Sequence, residues 1–113
     1  MQTYVASVGG KAVLAFRADS AEQARVIINE NSMRSDLQTL TDLNGKPLWD
    51  GKLPIEVREA TKAQHAEWEK SRDQAIRDGE IDLNAGHDPD DWDIYFLEIS
   101  RPRKGGRRGG GRK

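Results

Sequence analysis

The segment from Trp92 to Ile99, Trp-Asp-Ile-Tyr-Phe-Leu-Glu-Ile, constrains the fold more than any other stretch, because its middle four residues are uninterruptedly apolar or aromatic. A strand with that content needs cover on both faces. Alternation along a strand sets Ile94 and Phe96 on one side and Tyr95, Leu97 and Ile99 on the other. The segment is therefore expected to be the central strand of a small sheet. Phe96, Leu97 and Ile94 should be among the most buried residues, with Trp68 packed over them or their neighbours.

The other elements follow from local signals. Residues 3 to 8 and 11 to 17 are two β-favouring runs joined by Gly9-Gly10, a link suited to a tight hairpin turn. In the second run Ala12, Leu14 and Phe16 fall on one face and Val13 and Ala15 on the other. Ser20 with Gln23 makes a capping box, and Ala24, Ile27, Ile28 and Asn31 recur at helical spacing, which predicts a helix over 20 to 31 ended by Asn31-Ser32. Leu37 to Leu43 reads as a strand leading into Asn44-Gly45, a second hairpin turn. The return arm is broken by Pro47, Gly51 and Pro54, which leaves Trp49 at an edge or in a loop, exposed and free for a dimer contact. Ile55 to Arg58 alternates as a half-buried strand with Glu56 and Arg58 in water. Thr61 and Gln64 form a further capping box opening a helix that runs to about Asp78 and stops at Gly79, with His65, Trp68, Ala75 and Ile76 on one face and the Arg72 stem among them. Residues 79 to 91 read as a loop.

A chain of 113 residues without cysteine has to be held by its core alone, with neither disulfides nor thiolate metal sites. It has no apolar run long enough to span a membrane and no secretory signal at its N-terminus, so a soluble, cytoplasmic protein is expected. The net charge of −1 conceals a division. Residues 1–100 hold all 19 acidic groups against 11 basic ones and carry −8, whereas residues 101–113 hold 7 basic groups and no acid. This final segment has no apolar side chain to offset the entropy of ordering and is expected to be disordered.

The sequence carries no catalytic signature. There is no Gly-x-Ser-x-Gly turn, and His65 and His87 are the two imidazoles available as bases. His65 and Glu69 stand one helical turn apart, but two ligands do not complete a metal site. The loop holding His87, Asp88, Asp90, Asp91 and Asp93 is rich in oxygen ligands yet lacks the sharp-turn glycine and closing glutamate of a calcium loop, and it reads as a solvated acidic turn. Gly9-Gly10-Lys11 lacks the rest of a phosphate-binding loop. Neither a cofactor nor a metal is expected.

The candidate interface is the C-terminal segment, with Arg101, Arg103, Lys104, Arg107, Arg108, Arg112 and Lys113 as its nucleic-acid-binding residues. Glycine leaves the backbone free to follow a phosphodiester chain while arginine pairs with phosphate and stacks on bases. Arg108-Gly109-Gly110 resembles the RGG-type segments of RNA-binding proteins, and the resemblance implies RNA or single-stranded DNA as partner. The sequence thus predicts a single α+β domain over 1–100 in the order ββαββαβ, with a mainly antiparallel sheet, its last strand inserted centrally and two helices on one face, followed by the tail 101–113. The function expected is that of a small non-catalytic binding or regulatory module. The rival expectations are an acidic inhibitor or immunity-type protein that binds a basic protein partner, and a small enzyme or enzyme subunit with a histidine base.

Overall fold

Gly9 and Gly10 both take left-handed backbone angles (φ 59° and 80°), which closes β1 (Gln2–Val8) onto β2 (Lys11–Ala18) as the expected hairpin. The computed structural model describes residues 1–42 and 44–96, together with the backbone of 104–107. From Gln2↔Ala18 to Ala6↔Leu14 the hairpin register is regular, and the next pair is Ser7↔Ala12. Val13 is therefore the extra residue of a β-bulge. The bulge changes which side chains share a face: Val13 joins Leu14 and Phe16 in one cluster, while Ala12 packs with Ala15 against the other. The expected grouping of Ala12 with Leu14 fails because two residues of β2 oppose one of β1 at that point.

The sheet is antiparallel throughout, in the order β3-β1-β2-β4-β5. The Trp92 segment forms β4 (Trp92–Tyr95), paired with β2 through Leu14↔Tyr95 and Ala15↔Ile94. Its side chains divide as the alternation requires, with Trp92, Ile94 and Phe96 in one cluster and Tyr95 in the other. Leu97 and Ile99 lie outside the described residues. The central position belongs to β2, not to β4, and this corrects the expected insertion of the last strand at the centre. An apolar strand requires cover on both faces, but cover can come at any place in the sheet that has a helix on each side.

Beyond β4 the backbone of β5 (Lys104–Arg107) pairs antiparallel, Trp92↔Arg107 to Tyr95↔Lys104. These four residues belong to the segment expected to be disordered, and the rest of 101–113 lies outside the described residues. Main-chain pairing needs no apolar side chain, and Gly105 and Gly106 bring nothing bulky against Ile94 and Asp93.

Three helices cover the sheet. In α1 (Ala21–Ile28) the Ser20 side chain accepts from the Gln23 amide, while the Gln23 side chain reaches back to the Asp19 amide. The chain then enters α2 (Asn31–Thr39), where a strand from Leu37 was expected. Met33 and Leu37, one turn apart, are its buried residues, and their spacing is helical. What remains of the second hairpin is the bridge Thr41↔Pro47 around Asn44-Gly45. Asp42 holds that turn: its Oδ1 accepts from the Asn44 and Lys46 amides, and Lys11 lies 3.5 Å away. The Lys46 amide, with Asn44 and Lys11, holds the Asp42 carboxyl below the ordinary aspartate value.

β3 (Ile55–Glu59) pairs with β1, and its Glu56 and Arg58 are exposed as expected. The Thr61–Gln64 capping box is complete and opens α3 (Lys62–Arg77).

The helices do not share one face. Ala24, Ile27 and Ile28 of α1 and Met33 and Leu37 of α2 pack with Tyr4, Leu14, Phe16 and Tyr95. Trp68 and Ala75 of α3 pack on the opposite side with Val5, Ala15, Ile94 and Phe96. The expected one-sided arrangement would have left Val5, Ala15 and Ile94 facing water, and burial of that second apolar face draws α3 across the sheet. Trp49 is also corrected. It is 5% exposed, its Nε1 donates to the Leu53 carbonyl at 2.7 Å and the Arg34 guanidinium lies 4.8 Å from its ring. No helix among the described residues is long and apolar enough to cross a membrane.

Candidate functional site

Of the seven basic residues predicted to meet nucleic acid, Lys104 and Arg107 bound the backbone of β5, at the register positions opposite Tyr95 and Trp92. Arg101, Arg103, Arg108, Arg112 and Lys113 lie outside the described residues. Within the basic segment the backbone of 104–107 is thus paired along the edge of β4.

The acidic loop spends its polar groups on itself. Short 3₁₀ turns at Leu83–Ala85 and Pro89–Asp91 are capped by Asp82, which accepts from the Asn84 amide, and by Asp88, which accepts from the Asp90 amide. The His87 Nδ1 accepts from the Asp82 amide at 2.9 Å, Asp90 lies 3.5 Å from Arg17, and Asp93 is buried within β4. Ile81, which the loop reading passed over, is fully buried beneath α3. Among the described residues no group of three or more histidine and carboxylate side chains is placed to hold a metal ion.

A denser polar cluster lies where α3 crosses the hairpin. Thr3 Oγ1 is 2.6 Å from His65 Nδ1 and accepts a hydrogen bond from Arg17 Nη1 at 3.1 Å; His65 Nε2 faces Glu69 Oε1 at 3.4 Å. Arg17 also donates to the Met1 carbonyl, and His65 stacks on Trp68 with ring centres 6.3 Å apart. Arg17 and Arg72 lie 5.3 and 5.0 Å from the Trp68 ring, and Arg72 is paired with Asp73 at 3.0 Å.

Donor inventory sets the direction of the first of these bonds. Arginine only donates, so the Thr3 hydroxyl accepts from Arg17; its bond with His65 Nδ1 runs toward the ring when Nε2 carries the ring proton and toward the hydroxyl when Nδ1 carries it. A hydroxyl, an imidazole and a carboxylate in that order form the relay that activates nucleophiles in covalent catalysis. Here, however, Thr3 is 6% exposed and its oxygen is already occupied by Arg17. Such a covered hydroxyl ties α3 to the hairpin.

Replacement of Thr3 by Val, which keeps the shape, is expected to cost about 1 to 3 kcal/mol, because Arg17 and His65, both part-buried there, lose their shared partner. Thr3→Ser should retain most of that stability. Urea unfolding of the two variants measures the difference, and equal midpoints would remove the cross-link reading.

His65, Trp68 and Arg72 are legible as one face of α3 from helical spacing alone. Thr3 and Arg17 are not, although they are direct cross-strand partners. An uninterrupted two-residue hairpin would have set Thr3 opposite Phe16, and the bulge at Val13 moves it opposite Arg17. No protein-family model, no curated protein sequence and no solved structure matches this chain.

Proposed function

We propose that the protein is a small non-catalytic binding module that engages RNA or single-stranded DNA through its Arg/Lys/Gly-rich C-terminal segment. The observation that carries this reading is the division of charge, +7 in residues 101–113 against −8 in residues 1–100. The acidic body repels the phosphates that the segment attracts, so contact is confined to the basic end and affinity is modest. The pairing of β5 with β4 supports a defined departure point for the segment on the domain. The two rival functions have less support. Of the acids in the −8 body that would face a basic protein partner, Asp82 and Asp88 cap turns of their own loop and Asp90 pairs with Arg17; of the two histidines that could serve as a base, His65 has both ring nitrogens facing partners and His87 has Nδ1 accepting from the Asp82 amide.

Deletion of the segment would also remove β5, so the test replaces all seven basic residues with glutamine in the full chain. Fluorescence anisotropy of a labelled oligouridine or oligothymidine, measured across salt concentrations, reads the result. With every basic group on a phosphate, the log–log salt slope for a single strand reaches about −5, which is a loss of roughly 10³-fold between about 50 and 200 mM salt; fewer contacts give a shallower slope. The glutamine variant should show no binding. Equal binding by parent and variant, or no binding by the parent at low salt, would overturn the proposal.

A further inference from the structure

We propose that β3 is a self-association edge, at which a second copy of the chain pairs antiparallel about a two-fold axis through Val57. This goes beyond the nucleic-acid reading and does not depend on it. β3 is the terminal strand of the sheet, with β1 on one side and no strand among the described residues on the other. The Ala60 amide donates to the Thr3 carbonyl at 2.9 Å, which sets the phase of the ladder. In an antiparallel pair alternate residues turn both main-chain groups to the same neighbour. Arg58 and Glu56 therefore bond β1, and Ile55, Val57 and Glu59 direct their N–H and C=O groups outward.

Two-fold pairing about Val57 uses all of these outward groups. Val57 meets Val57 of the second copy in a hydrogen-bonded pair, and Ile55 meets Glu59 on each side. Between them, at the positions where side chains come closest, Glu56 faces Arg58 of the second copy and Arg58 faces Glu56. Both are exposed, and neither has an ion-pair partner among the described residues. Ile55 and Val57, each half-buried at the margin of the α1 and α2 core, would gain cover from the same contact.

An edge strand is ordinarily kept from self-pairing by charges that repel across the new seam. The charges of β3 are self-complementary. The two-fold axis stands perpendicular to the sheet and brings the two α1 helices to the same side. Val26, the most exposed large hydrophobic residue among those described, lies on that helix.

Sedimentation equilibrium of the full chain at micromolar concentrations should show a monomer–dimer equilibrium. Glu56→Arg and Arg58→Glu each turn both opposed pairs into like-charge pairs and should weaken dimerisation by about tenfold, less at high salt. The double exchange E56R/R58E should restore it. Val57→Pro removes an amide that faces away from β1, so the monomer keeps its circular dichroism while the dimer is lost. A chain that stays monomeric throughout the range, or a dimer unaffected by the single charge reversals, would overturn the assignment. Because the charge exchange leaves the backbone intact, its outcome decides the matter even where the proline variant fails to fold.

Discussion

Trp68→Ala lowers the unfolding free energy by about 3 to 5 kcal/mol, the range for removing a large aromatic side chain from a packed core. Trp68 is the largest fully buried side chain among the described residues and anchors the whole α3 face of the sheet against Val5, Ala15 and Ile94. Its Nε1 donates to the Trp92 carbonyl at 2.7 Å, so the indole also ties α3 to β4. Truncation leaves a cavity, takes the indole donor from the Trp92 carbonyl and leaves two guanidinium groups without the ring beneath them. Against the stability of about 5 to 15 kcal/mol usual for a domain, that loss removes a large part of the margin. Trp68→Phe separates the contributions. It fills most of the volume but removes the hydrogen bond to the Trp92 carbonyl, at a cost of about 0.5 to 1.5 kcal/mol. Urea unfolding followed by far-ultraviolet circular dichroism measures both. A shift below about 1 kcal/mol for the alanine variant would show that the sheet does not depend on α3.

Trp49→Ala is expected to be as damaging, again about 3 to 5 kcal/mol, although the residue lies outside any helix or strand. The irregular stretch between α2 and β3 is held to the first core by Leu48 and Trp49. Gly51, with φ 85°, turns the chain back so that the Leu53 carbonyl meets the indole N–H; a Cβ there would also come within 2.5 Å of the Gln38 side chain. Asp50 completes the turn by accepting from the Lys52 and Leu53 amides, and those bonds, Leu53 first, hold its carboxyl below the ordinary aspartate value. Arg34→Ala, which removes only the cation over the ring, should cost about 0.5 to 1 kcal/mol. The contrast with an exposed position is sharp, because a surface tryptophan away from any contact changes stability by about 0.5 kcal/mol or less when truncated. Thermal unfolding of the two variants therefore tests the burial of Trp49 directly.

These two tryptophans mark the limit of what local pattern can say. Trp68 lies on a regular helix between a capping box and a glycine stop, so its face is readable from periodicity and its burial follows. Trp49 lies among Pro47, Gly51 and Pro54, which identify a turn but do not say whether the turn is folded inward. In the same way Met33 and Leu37 carry a helical spacing, yet too few apolar residues accompany them to separate a short helix from the strand that Leu37 to Leu43 suggested. The polar cluster shows the same division. His65 and Arg72 share a readable face, and Thr3 and Arg17 reach it only through a register set by the bulge at Val13.

The sequence by itself determined the Gly9-Gly10 hairpin, the starts of α1 and α3 at Ser20 and Thr61, the alternation of β3 and β4, and the opposed charges of body and C-terminal segment. Each depends on residues within a few positions of one another, where turn geometry, capping and side-chain period act directly. Only the tertiary structure decided the place of β4 beside β2, the pairing of β5, the passage of α3 to the face opposite α1 and α2, and the inward fold of Trp49. Those choices concern which apolar surfaces meet. Hydrophobic burial is non-directional, so many pairings satisfy the same local pattern, and the one adopted covers both faces of the sheet at once.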